Sequence, residues 1–241
     1  MIRNVRAAGW TAFVAAVLLL PVPARSAPRI ALAIHAGYNE YDMTDVNQDL
    51  ITHAINERIL GGSGFALEEI HGGLGFGAGL RFHASKRFSF AVDYDRLTAK
   101  SHLSLFNIDF NVKAPAHSVT GSAIFWFPSA TRVRGGVGAG GGFYWCEGEF
   151  GADTTGTGLT TPMKGSGPGF HGMGLLDYTI SPKVHFEASA GLRWAETKDL
   201  EIEGVKAVTS EGTDATLDWS GFMSRLGLTF FFGRGEPVPG S

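Results

Sequence analysis

The chain has 241 residues, of which 34 are glycine and 18 phenylalanine, with 20 Lys+Arg against 23 Asp+Glu and a net charge of −3. This length suits one domain, and a mildly acidic chain argues against a nucleic-acid partner. Cys146 is the only cysteine, which excludes an intrachain disulfide.

The N-terminus reads as a signal peptide, Met1 to Ser26. Arg3 and Arg6 form its positive region, Trp10 to Leu20 its apolar core, and Pro21 ends the run. Ala24 and Ser26 sit where small residues are wanted before a cut ahead of Ala27. The apolar run is too short for a spanning helix, which needs about 20 residues. The residue directly after the cut is Ala27 and not cysteine, so no lipoprotein is expected. Arg3, Arg6 and Arg25 leave with the leader, and the remaining 17 Lys+Arg face 23 Asp+Glu, a net charge of −6. No later apolar run could span a bilayer as a helix. A membrane assignment must rest on closed strands, because lipid offers no partner to an open sheet edge.

The pattern predicts strands at about 29–39, 67–83, 87–100, 105–127, 130–149, 166–180, 183–198 and 215–232. Side chains alternate faces along a strand. In the second strand Leu74, Phe76, Ala78, Leu80 and Phe82 share one face, and four glycines with Arg81 the other. In the third, Phe88, Phe90, Val92 and Tyr94 oppose Ser89, Ala91, Asp93 and Asp95. In the seventh, Val184, Phe186, Leu192 and Trp194 oppose His185, Glu187, Ser189 and Arg193. One face is apolar over a membrane's thickness and the other carries charge, the reverse of a soluble barrel. Three very short turns, at His83–Lys86, Pro128–Ala130 and Ser181–Lys183, alternate with long polar loops. Short periplasmic turns and long outer loops are the layout of an outer-membrane barrel. Phe82, Phe88, Phe125, Phe127, Tyr178, Phe230 and Phe232 form one aromatic girdle near the turns. Tyr38, Tyr94, Phe143, Trp145 and Trp194 form another near the loops. Pro115 interrupts the fourth strand, where a phase change and a bulge or bend are expected.

In the first long loop, residues 45–60 carry Val46, Leu50, Ile51, Ala54, Ile55 and Ile59 at α-helical spacing. Thr44 or Asp42 is the expected cap, and Gly61-Gly62 the stop. Such a helix spans ~24 Å and could lie across the mouth of a small barrel.

The inward face is expected to carry a charge network of Arg81, Asp93, Asp95, Arg132, Arg134, Asp177, His185, Glu187, Arg193 and Arg225. A small barrel has room only for side chains or one small ligand, so a compensated network is the leading reading and an ion path the alternative. Arg81, Arg132, Arg134, Asp177, His185 and Glu187 should plug the turn-side half. Gly73, Gly75, Gly138, Gly140 and Gly142 leave space above, where either a blind pocket or the side chains of Met173, Leu175, Tyr144 and Arg193 could sit. The eight histidines show no metal-ligand spacing. The glycine runs at 135–142 lack the helix and Lys-Ser/Thr of a phosphate loop, so no cofactor or metal is expected. A lipid-modifying enzyme would need Ser, His and an acid together. The outward candidates Ser224 and His117 lie nearly half a barrel apart.

The last strand ends Arg225-Leu226-Gly227-Leu228-Thr229-Phe230-Phe231-Phe232. With the turns and strand count, it resembles the small eight-stranded outer-membrane proteins of the outer membrane protein A barrel superfamily. The resemblance covers roughly residues 29–232. It implies an all-β, closed eight-stranded antiparallel transmembrane barrel, and an assembly signal at Arg225, Gly227, Phe230 and Phe232 read by the barrel-assembly machinery. A nine-residue tail, Gly233 to Ser241, departs from the pattern and holds no peptidoglycan-binding domain. The expected protein is a monomeric, non-enzymatic barrel in outer-membrane lipid of a Gram-negative-type bacterium. It is structural, or binds a small ligand or surface partner through its loops and upper lumen. A narrow pore is the alternative.

Overall fold

A computed structural model describes residues 29–105, 108–154 and 157–232. The expected leader and tail lie outside the described residues.

The strands are β1 (Arg29–Glu40), β2 (Gly72–His83), β3 (Phe88–Leu97), β4 (Lys100–Leu105), β5 (Ile108–Lys113), β6 (Ala116–Trp126), β7 (Val133–Thr154), β8 (Thr157–Ser181), β9 (Val184–Ile202), β10 (Val205–Lys206), β11 (Leu217–Asp218) and β12 (Gly221–Phe231). Eight of them pair antiparallel in a ring: β1–β2–β3–β6–β7–β8–β9–β12, with β12 returning to β1. Closure leaves the ring without an edge, which lipid requires of a spanning sheet.

The outward face of this ring is an apolar belt. Leu74 is 67% exposed, Leu176 58% and Leu226 59%, and Val92, Val137 and Leu192 face out beside them. Inward neighbours on the same strands are Ser89, Asp93, Asp95, Ser122, Asp177 and Arg193, all buried. This is a membrane-spanning β-barrel, polar inside and apolar outside. The girdle aromatics Phe82, Phe88, Phe127, Tyr178 and Phe232 are exposed at the turn end, and Tyr38, Tyr94, Phe143 and Trp194 at the loop end.

Three features differ from the sequence pattern. First, residues 150–154 and 157–165, which read as part of a polar loop, are strand: β7 and β8 stay paired from Val133↔Tyr178 up to Thr154↔Thr157. Second, β4 and β5 form an added hairpin that docks on the upper part of β7. Third, Pro115 causes no phase change. Lys113 pairs with Glu149 and Ala116 with Cys146, the same register on both sides of the proline. Even-numbered residues from Phe110 to Trp126 are buried throughout. Pro115 only removes a ladder bond, and what changes there is the chemistry of the inward face. Below it are Ser118, Thr120 and Ser122; above it are Phe110, Val112 and Ala114.

The helix of the first loop runs Val46–Glu57 and is wound wider than an α-helix. At its end Arg58 N–H donates to His53 O and Leu60 N–H to Ile55 O, each five residues back. The wide winding sets which residues face the core. Val46, Ile51, Ile55 and Leu60 are buried, at spacings of five, four and five. Leu50 and Ala54 are only half-buried and Ile59 is exposed, so the α-spaced face read from the sequence is corrected at these three positions. Neither expected cap acts. Asp45 holds the N-cap position without a side-chain cap bond, and Thr44 instead donates to Asp42.

Candidate functional site

The lumen and the mouth above it bring together the residues with chemical potential. In the turn-side half, the backbone pair Arg134↔Asp177 puts a guanidinium beside a carboxylate, Nε to Oδ2 at 2.9 Å. His185, one strand further on, places Nδ1 3.0 Å from the same Asp177. Arg81 reaches Asp93 at 2.5 Å and Glu187 at 3.3 Å. Higher up, Arg225 bonds Asp95 at 3.0 Å, and His35 Nε2 lies 2.6 Å from the other oxygen of Asp95. These charges are buried, and buried charges persist only when paired and hydrogen-bonded. Pairs that bridge β2, β3, β9 and β12 lock strands to one another across the lumen.

Two of the expected network residues lie elsewhere. Arg132 is exposed in the β6–β7 turn, because β7 begins one residue later. Arg193 is buried but has no carboxylate partner within salt-bridge distance. It donates to Trp219 O at 2.8 Å and Asn39 Oδ1 at 3.1 Å, and lies 5.6 Å from the Tyr41 ring centre. His35 belongs to the network and the sequence pattern did not flag it. Its position opposite Gly77 on β2 and Gly227 on β12 is the signal that could have found it, since glycine there leaves room for an inward imidazole. Other polar contacts fill the gaps: Ser122 with His171 Nε2 at 2.8 Å, and Trp126 Nε1 donating to Ser89 Oγ at 2.9 Å.

The upper lumen is filled. Tyr144 and Arg193 are buried there, and Met173 and Leu175 are buried nearer the turns. A side chain at Gly138 would touch Ile124, Leu175 and Met173 within 3.3 Å. The blind pocket is therefore not present. A small cavity lies lower, between His35, Arg81, Met173, Glu187, Ser189, Arg225 and Gly227, and leaves about 10 Å³ in which a water can be centred. That is room for about one molecule, far below the few hundred Å³ of a ligand site.

Above the membrane the interior becomes an apolar core. Tyr41, Ile51, Ile55, Leu67, Tyr144 and Trp219 are central members of one buried cluster, drawn from the loops and the strand extensions. The Tyr41 and Trp219 rings meet edge to face at 5.0 Å. Amide side chains fasten the helix to the rest of its loop. Asn47 donates to Ile70 O at 2.9 Å and accepts from Ile70 N–H at 2.7 Å, and Asn56 does the same with Leu67 at 3.0 and 2.7 Å. The helix is also tied to the β11 loop. The Asp45 carboxylate accepts from Thr216 N–H and Oγ1–H, both at 2.8 Å, and Asp49 accepts from Ser210 N–H at 3.0 Å. Hydrogen bonds from Ser210 hold the Asp49 carboxyl below its ordinary range. The first loop thus closes the barrel mouth as a packed cap.

On the outer surface, Ser224 donates to Tyr38 O at 3.2 Å, and His117 Nδ1 lies 2.6 Å from the Tyr94 hydroxyl. They sit on β12 and β6, which are not neighbours, so they do not form a nucleophile–base pair. The Ser122–His171 contact is buried, and His171 Nδ1 has no hydrogen-bond partner there to orient it. No group of three or more His, Cys, Asp or Glu suited to a metal occurs among the described residues. On β12, Arg225 and Gly227 serve the lumen, the latter lying against His35, while Phe230 and, just past the strand's end, Phe232 face out.

No family model matches the chain, and no curated protein matches it. Among solved structures it is similar to Neisserial surface protein A, at 14% identity and a TM-score of 0.43, covering 85% of this chain and 96% of that one. It is also similar to a major outer membrane protein from Thermus thermophilus, at 10% identity and a TM-score of 0.49, covering 84% and 99%. The outer membrane protease OmpT of Escherichia coli is a further likeness, at 8% identity and a TM-score of 0.31, covering 85% and 96%.

Proposed function

We propose that this chain is a non-enzymatic outer-membrane barrel whose lumen is closed and whose working surface is the ordered cap of extracellular loops. One observation carries the reading: the interior is occupied at every level. The turn-side half holds paired charges, the middle admits about one water, and the mouth is an apolar core under a fastened helix. A fold hosts many functions, so the role is argued from this filled interior. It favours a structural or surface-binding role over a narrow pore. It also leaves ligand binding to the loops and not to the upper lumen. In this reading the turns face the periplasm, the barrel is a monomer in outer-membrane lipid, and outward Phe230 and Phe232 are offered to the barrel-assembly machinery during biogenesis. Planar-bilayer recordings of refolded protein test the reading. It expects an electrically silent bilayer, whereas reproducible single-channel steps would return the pore. A mass shift of lipid A in cells expressing the chain would instead return the lipid-modifying enzyme.

A further inference from the structure

The two ends of the barrel differ in charge: the turns carry cations alone, whereas the loop end mixes both signs. At the turn end, Lys86, Arg87, Arg132 and Lys183 are exposed, spread over all three short turns. Arg29 joins them from the start of β1. Its Nη2 donates to Pro182 O at 3.2 Å and its guanidinium lies 4.1 Å from the Phe231 ring centre. No acidic residue occurs in these turns, and Asp177 and Glu187 on the adjoining strands are paired with Arg134 and Arg81 in the lumen. At the loop end exposed acids such as Glu57, Glu147, Glu201 and Glu203 are interspersed with exposed cations such as Lys100, Lys113, Lys164 and Lys198.

We infer that the turn-side rim is a docking surface for the phosphate headgroups of anionic phospholipids in the inner leaflet. The charges lie at headgroup depth. Arg87 immediately precedes the exposed Phe88, Arg132 precedes the exposed Val133, and Phe82, Tyr178 and Phe232 complete the girdle just above. Aromatic rings mark the membrane–water interface, and long cationic side chains beside them lay their stems on apolar surface with the charge in the headgroups. Each cation near an anionic membrane surface strengthens attachment on the order of fivefold. Cations spread around a ring collect several lipids, not one. A cell-wall polymer would need charges projecting below the rim, and these turns are too short to project.

The test counts lipids. Refolded protein in nanodiscs of equal phosphatidylglycerol and phosphatidylcholine is released into detergent, and the lipids that stay bound are counted by native mass spectrometry. Wild type should retain phosphatidylglycerol several-fold over phosphatidylcholine. Lys86→Gln/Arg87→Gln/Arg132→Gln/Lys183→Gln should fall toward parity, and Lys100→Gln/Lys164→Gln at the loop end should not. If the fourfold variant does not refold, Lys86→Gln and Lys183→Gln alone should each lower the ratio partway. Parity in wild type, or an equal drop in the loop-end variant, would overturn the inference. So would rim-dependent co-sedimentation with peptidoglycan without lipid preference. The leaflet rests on the turns being periplasmic. Labelling of an Ala130→Cys variant on intact cells by an impermeant maleimide would overturn that orientation and leave the headgroup preference standing.

Discussion

Ala116 and Cys146 face each other across β6 and β7, both buried, at the level where the barrel interior changes solvent. Below them inward hydroxyls and paired charges surround a small apolar patch of Ile124, Trp126, Met173, Leu175 and Met223, all within a lipid-facing belt. Above them the same strand faces hold Phe110, Val112 and Ala114 in an apolar core. Two folding logics thus share one set of strands. The lower part is held by paired charges within an apolar sleeve, and the upper part by ordinary hydrophobic burial in water.

The lower part should fail when one charge loses its partners. Arg81→Met leaves Asp93 and Glu187 buried without their cation, and removing one member of a buried pair costs about 3–5 kcal/mol. Urea unfolding in lipid vesicles should show a loss of that order. Arg81→Met/Asp93→Leu/Glu187→Leu should recover most of it, because the uncompensated carboxylates are gone.

The upper part should fail locally. Asn47→Ala removes both hydrogen bonds to Ile70, each unsatisfied buried backbone group costing about 1–3 kcal/mol. Trypsin should then cut after Arg58 faster than in wild type. The barrel should keep its heat-resistant migration in detergent gels, since no ring strand loses a contact.

The link between the helix and the β11 loop should depend on acidity. The Asp49 carboxyl is held below its ordinary range by Ser210, so the folded state binds its proton less readily than the unfolded chain. The link is complete above the ordinary carboxylate range, near pH 4, and is lost as pH falls through the lower, folded value. Protection of the Ser210 amide, whose N–H donates to Asp49, against exchange relative to an unfolded amide should fall in that acid window and stay constant between pH 6 and 8. Asp49→Asn should remove the acid-dependent step.

The belt should reject charge according to depth. Leu80 faces out in mid-strand β2, and Leu80→Arg should cost about 2–4 kcal/mol of refolding stability in vesicles. Val205→Arg, on a still more exposed apolar side chain above the membrane, should cost nearly nothing.

The eight ring strands, their turns and the outward belt were legible because a period of two with apolar residues on one face appears wherever lipid meets the wall. The helix over the mouth was legible from its apolar spacing, but the core it joins was not: Tyr41, Leu67, Ile70 and Trp219 stand singly among polar residues, and only tertiary contact makes them one core. The upper halves of β7 and β8 carry Gly, Thr and Pro and read as loop, yet backbone pairing between neighbours suffices there. At Pro115 the inward face turned apolar, which a single strand cannot distinguish from a change of phase. Strand parity does not continue through the turn that holds Arg132, and α-spacing does not fit the wider helix that leaves Ile59 exposed. The absence of metal-ligand spacing among histidines says nothing of ion pairs, so no sequence pattern marks His35 as a partner of Asp95.

Cys146 permits the most direct test of a closed interior. It is the single cysteine, buried where the polar lumen meets the cap, so wild-type protein needs no substitution. Refolded protein in vesicles is exposed to a small water-soluble thiol reagent, and labelling is followed by intact mass. The filled lumen and fastened cap predict no adduct while the barrel is folded and one adduct after denaturation. Rapid labelling of the folded barrel would mean that water and small solutes reach the middle of the interior, and would contradict the account.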